Sequence, residues 1–200
     1  MASASEWPVP KLCTTPPARR AATTSLPAMV SGAAPETVHD GRLEREAGVA
    51  ARVYELAEPR PQDIFVVASQ SGINYSIVEF ALLVKERGHH LIAITSAAHT
   101  ARVTPRHPSG QRLAEIADVV LDNGAPYGDA LLPLPGGGSV GAVSSITAAL
   151  LGQSLIIEVV RQLQAAGEVP PIYLSANVPG GDEHNQSLES RYAGRIRRGA

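Results

Sequence analysis

Asp63-Ile64-Phe65-Val66-Val67-Ala68-Ser69-Gln70-Ser71-Gly72-Ile73-Asn74, running directly into Tyr75 to Gly88, decides the fold of this 200-residue chain. The apolar run Ile64 to Ala68 lies between a carboxylate and a Ser/Gly/Asn cluster, the pattern of a buried parallel strand. Ser76 to Gly88 follows as a helix, with cations in its last turn and a glycine to stop it. The loop between them turns backbone N–H groups and the positive end of the helix dipole toward whatever binds there. A phosphate is the expected guest.

Outward from this stretch the pattern repeats. His90 to Thr95 reads as a second buried strand ending at Ser96, and Asp118 to Asp122 as a short third one. Gly41 to Glu58 is an amphipathic helix carrying Leu43, Ala47, Ala50, Tyr54 and Ala57 on one face, ended by Pro59 and Pro61. Ala97 to Val103 predicts a short helical turn, and Ser109 to Ala117 a helix with Ser109 as N-cap. Strands alternating with helices in this way make an α/β protein with an open parallel sheet, right-handed crossovers and flanking helices. Asn123 to Gly138, rich in proline and glycine, reads as a long loop that carries function or oligomer contacts. Val140 to Ala166 is the longest helix, apolar nearly all round, and predicts burial under the sheet or in a dimer interface. Ile172 to Leu174 is extended, and Asp182 or a neighbour caps a last helix to about Arg191.

Composition bounds the function. A formal net charge of −2, with 18% charged and 44% hydrophobic residues, is that of a soluble globular domain and gives no basis for binding nucleic acid. Cys13 is the single cysteine, which excludes an internal disulfide and fits a reducing cytoplasm. No continuous stretch reaches the roughly 18 apolar residues of a membrane span, so no membrane partner is expected. Histidines and carboxylates are dispersed and lack the spacing of a metal site. Residues 1–35 hold six of the sixteen prolines among Ala, Ser and Thr and read as a disordered leader, with one domain over residues 36–200.

Ser69-x-Ser71-Gly72 between strand and helix resembles the phosphosugar loop of the sugar isomerase (SIS) domain family. The resemblance continues through Ile94-Thr95-Ser96, through Asp122-Asn123-x-x-Pro126-Tyr127-Gly128-Asp129, and through Leu174-Ser175-Ala176-Asn177-Val178-Pro179-Gly180-Gly181-Asp182-Glu183-His184-Asn185. It covers roughly residues 36 to 198 and points to a little-characterised bacterial branch. It implies a flavodoxin-like open sheet, a phosphorylated sugar as ligand, no cofactor, and pairing of two domains into a homodimer. Family members open with a helix and a central strand ending in a Gly-x-Gly-x-Ser loop. Nothing of that kind stands upstream of Asp63, so the chain resembles a member whose first strand unit is lost or replaced.

Ligands of open α/β sheets sit beyond the carboxyl ends of the strands. Ser69, Ser71, Gly72, Asn74 and Ser96 fall there and are the candidate ligand contacts. The competing reading makes Ser71 and Asn74 helix caps and Gly72 a turn glycine. Glu183 and His184 are the candidate acid–base pair, with an imidazole suited to proton transfer near neutrality. Glu183 serves equally as an acid favouring a helix N-terminus. His99 reads as a polar loop histidine, and Asp129 as a residue that orients the long loop. The catalytic glutamate and histidine that the resemblance implies have no counterpart: the first phosphate loop is absent, and the long helix offers Ser144, Ser145 and Thr147. Three functions therefore stand side by side: a sugar-phosphate isomerase or lyase, a non-catalytic phosphosugar-sensing module, and an inactive truncated relative.

Overall fold

A computed structural model describes residues 47–193. The proposed leader, Cys13 and residues 41–46 of the expected first helix lie outside the described residues. The chain divides into two compact units, one ending at Leu151 and the other beginning at Gly152.

The first unit is built on a three-stranded parallel sheet, β1 (Ile64–Ala68), β2 (His90–Thr95) and β3 (Val119–Asp122), in the order β1-β2-β3. Phe65 pairs with Leu91, Val67 with Ala93, and Thr95 with Asp122. Because side chains alternate across a strand, this register puts Phe65, Val67, Leu91 and Ala93 on one face. All four are buried there. Against them pack α1 (Val49–Ala57), α2 (Tyr75–Glu86) and α4 (Leu113–Ile116), with α3 (Ala97–Thr100) following β2. Ile77, Phe80, Ala81 and Val84 recur at helical spacing along α2 and fill the layer between helices and sheet. On the opposite face Ile64, Val66, Ile92 and Val119 are half-buried or exposed, while Ile94, nearer the carboxyl end, is buried.

The first helix buries Val49, Ala50 and Val53 rather than the face drawn through Ala47 and Ala57. Its start is set from a distance: Gly48 N–H donates to both carboxylate oxygens of Glu79 (3.1 and 3.0 Å). An acid on α2 thus meets the positive end of α1. Tyr54, Phe65, Phe80 and His89 form a ring cluster at the amino end of the sheet. His89 is buried; its Nδ1–H donates to Asp63 O (3.1 Å) and its Nε2 accepts from Tyr54 O–H (2.7 Å).

Three expected elements change. Ser109 does not cap a helix: it accepts from Gln111 N–H and pairs with His107, and α4 begins only at Leu113. The expected long loop contains a hairpin, β4 (Ala130–Pro133) and β5 (Ser139–Ala142), turned through Gly136, Gly137 and Gly138, all at positive φ. Val140 therefore belongs to β5, and the long helix α5 starts at Ser144 and runs to Ala165. Asp129 supplies the reason, since its carboxylate accepts from Val143 N–H (3.1 Å), Ser144 N–H (2.7 Å) and Ser144 Oγ–H (2.7 Å). Those bonds satisfy the helix's first donors and fix its beginning.

α5 has no buried residue among the described ones, where burial under the sheet or in a dimer interface was expected. Its length and mean hydropathy of 1.3 are enough to cross a membrane by composition alone, although polar residues interrupt every apolar run. One such helix is weak evidence for a span. Arg161 and then Gln162 hold the Glu158 carboxyl down at about 2, so α5 carries a charged pair on its surface.

In the second unit, Ile172 to Leu174 joins no sheet among the described residues. Leu174 pairs instead with the Asn185 side chain, whose Oδ1 accepts from its N–H (2.9 Å) and whose Nδ2 donates to its carbonyl (2.8 Å). α6 (Gly181–Arg191) begins after Gly180 with no side-chain cap, so Asp182 lies in the first turn rather than at the cap.

Candidate functional site

The loop Ser69–Asn74 leaves β1 at its carboxyl end and enters α2 with Asn74 as N-cap. Four of its carbonyls are bonded inward. Gln70 O accepts from Ser96 N–H (3.2 Å) and Thr95 Oγ1–H (3.3 Å), and Ser71 O from Thr100 Oγ1–H (3.0 Å). Gly72 O accepts from Leu113 N–H (2.8 Å) and Ile73 O from Arg106 N–H (3.2 Å). Across a planar trans peptide the next N–H points opposite to the carbonyl. The amides of residues 71–74 therefore point opposite to the carbonyls that the β2–β3 connection holds. Gly72 N–H turns onto Ser69 Oγ (3.2 Å), so Ser69 shapes the loop from within. Gly72 itself has φ +62 and sits tightly against Leu113 and Thr95.

Ser71 is half-buried beside these amides. The hydroxyl of Ser76, in the first turn of α2, is fully buried and has no partner among the described residues. Asn74 presents Oδ1 to the guanidinium of Arg106 (3.2 Å). Gln70 crosses to the neighbouring strand end, where its Oε1 accepts from Asn123 Nδ2 (2.9 Å). Ser96 departs from the expectation. It is fully buried, caps α3 by accepting from His99 N–H (3.0 Å), and donates to Ala125 O (2.6 Å). Its hydroxyl is committed inside the protein and is not presented to a ligand.

His99 is not a loop residue but belongs to α3. Its ring stacks on Tyr127 (5.2 Å) and its Nδ1 accepts from Gly128 N–H (3.1 Å), which leaves the proton of the neutral ring on Nε2. Arg102 lies over the other ring, 4.4 Å from the Tyr127 centroid. For Asp129, burial acts to raise the carboxyl. The hydrogen bonds from Ser144 and Val143, helped by His99, outweigh it and hold the group below the usual carboxylate range. Asp129 and Ser144 thus form a helix cap, in which the Ser144 hydroxyl donates to the Asp129 carboxylate.

Glu183 and His184 lie in the first turn of α6, in the second unit, and both are exposed. His184 Nε2–H donates to Ile172 O (2.9 Å), which orients the ring. Among the described residues no three His, Cys, Asp or Glu side chains converge as a metal site. Arg106 and the carbonyl-binding Thr100 were not singled out from the sequence. They reach the loop through space from the β2–β3 connection, and no spacing motif marks them.

The geometry of strand, amide-lined loop and helix agrees with what similarity to other proteins shows. A family model described as SIS domain matches residues 14–96, so the matched part includes the central strand, the loop and β2. A UPF0309 protein of Listeria monocytogenes is 40% identical over 157 residues, covering 78% of this chain and 67% of that protein. A UPF0309 protein of Halalkalibacterium halodurans is 39% identical over 151 residues (75% and 62%). One from Caldanaerobacter subterraneus is 32% identical over 168 residues (80% and 68%). The chain spans about two thirds of the length of these relatives. The chain belongs to the SIS domain family, among the bacterial UPF0309 proteins.

Proposed function

We propose that the chain binds a phosphorylated sugar, or another phosphorylated carbohydrate derivative, at the Ser69–Asn74 loop. One observation carries this reading: four successive carbonyls are bonded to the β2–β3 connection, which turns the amides of Ser71, Ile73 and Asn74 the other way at the start of a twelve-residue helix, while Gly72 N–H is held by Ser69 Oγ. Amides so arranged, together with the helix dipole, form a ready anion site. Ser71 and Asn74 are the side chains that would contact the ligand, and Gly72 gives the close backbone approach. Binding rather than turnover is the conclusion, because the acid–base pair Glu183–His184 is exposed and His184 is engaged with a backbone carbonyl. On the same reading the protein acts in the cytoplasm as a homodimer, without cofactor, nucleic acid or membrane.

The test is a thermal melt with paired ligands: hexose and hexosamine 6-phosphates against the same sugars unphosphorylated. At a hundred times its dissociation constant a phosphorylated ligand stabilises by roughly 2.7 kcal/mol. The free sugars are expected to leave the melt unchanged. Equal shifts from both forms, or undiminished binding in Ser71→Ala combined with Gly72→Val, would remove the loop from consideration. Turnover of any of these phosphates would add isomerase or lyase chemistry to the binding role.

A further inference from the structure

We propose that Arg106 supplies the positive charge that meets the phosphate group at the Ser69–Asn74 loop, an inference that rests on the phosphosugar-binding reading above. Arg106 is tied to the loop twice. Its N–H donates to Ile73 O (3.2 Å), and its Nη1 donates to Asn74 Oδ1 (3.2 Å). The side chain is exposed, and Nη1 is the only guanidinium nitrogen bonded among the described residues. A guanidinium has five N–H donors in a rigid fork suited to the oxygens of a phosphate.

The electrostatics of the position point the same way. Helix N-termini favour anions, and cations belong at C-termini. Here a guanidinium stands at the N-cap of α2, and the first turn of that helix carries no acidic residue. Helix dipole, loop amides and guanidinium therefore add positive potential at one place. The partner holding Arg106 is the neutral amide of Asn74, which orients the fork without cancelling its charge. A bound phosphate dianion removes the repulsion that this arrangement otherwise contains. The ring of His107, the next residue, packs at a tilt against Tyr75 (centroids 4.7 Å apart) and steadies the segment against the start of α2.

The experiment titrates inorganic phosphate and glucose 6-phosphate by calorimetry into wild type, Arg106→Gln, Arg106→Lys and Asn74→Asp, at two salt concentrations. Losing a charge-assisted bond predicts affinity lower by about tenfold or more in Arg106→Gln, with a shallower salt dependence. Arg106→Lys keeps the charge without the fork and recovers part of the affinity. Asn74→Asp, which neutralises the guanidinium in place, weakens binding as well. If Arg106→Gln binds like wild type while Ser71→Ala with Gly72→Val does not bind, the Arg106 proposal is overturned and the loop stands. If wild type binds neither phosphorylated probe, the loop reading itself fails, and the Arg106 role with it.

Discussion

Gly72 shows how one residue joins the fold to the site. Its φ of +62 is a left-handed conformation that side chains rarely adopt, and a Cβ there would lie 3.2 Å from Leu113 Cβ and 3.3 Å from Thr95 Oγ1. Its carbonyl also accepts from Leu113 N–H. The residue is both the bend that turns the loop amides and the point where α4 docks. Gly72→Ala is therefore expected to destabilise the protein by about 1–3 kcal/mol, from backbone strain together with displacement of Leu113. Urea denaturation of the variant measures this. A variant as stable as wild type would mean that the loop relaxes freely and is not held by the β2–β3 connection. Ser96 makes the complementary point, because an appealing hydroxyl at a strand end is a buried cap once its neighbours are in place.

Among elements, the ties between neighbours are mostly polar groups reaching backbone ends. Glu79 on α2 starts α1, Asp129 starts α5, and Asp118 joins β3 to β2. Asp118 accepts from Leu91 N–H (2.8 Å) and from the Lys85 ammonium at the end of α2 (2.6 Å). Burial would raise its carboxyl, but Lys85 and the Leu91 amide prevail and hold it below the usual carboxylate range. A carboxyl with a depressed folded pKa stabilises the fold above its unfolded value and loses that contribution as pH falls through the folded value. The stability gap between wild type and Asp118→Asn is thus expected to be present at neutral pH and to close below the ordinary carboxylate pKa of about 4. Denaturant melts across that acid range test it. A gap independent of pH would show that the ion pair is not what joins these elements.

At the scale of the molecule, the described residues leave apolar surface uncovered. One sheet face presents Ile64, Val66, Ile92 and Val119, and β1 is paired on one side only. Parallel sheets are ordinarily covered on both faces, and an unpaired strand edge invites association. α5 adds Ile146, Leu150 and Ile157, each at least 65% exposed. Self-association follows as the expected outcome, a homodimer at micromolar concentration. Light scattering over a dilution series reads it directly. A monodisperse monomer that does not change on dilution would mean that residues outside the described ones cover the sheet.

The sequence alone determined the elements whose signal is local. Ile64–Ala68, His90–Thr95 and the helix ending at Gly88 appear where apolar run, periodicity and stop residue placed them, because a buried strand and an amphipathic helix write their burial into consecutive residues. The Ser69–Asn74 loop was legible for the same reason: its serines, glycine and helix start are contiguous. Tertiary structure decided what depends on partners distant along the chain. Leu113 becomes a helix start only on meeting Gly72 O, and Ser144 only on meeting the Asp129 carboxylate. The β4–β5 hairpin, hidden in a Pro/Gly-rich stretch, forms through pairing of Leu132 with Val140. Arg106 reaches Asn74 from 32 residues away, and only the packing of the β2–β3 connection against the loop brings a cation to the site.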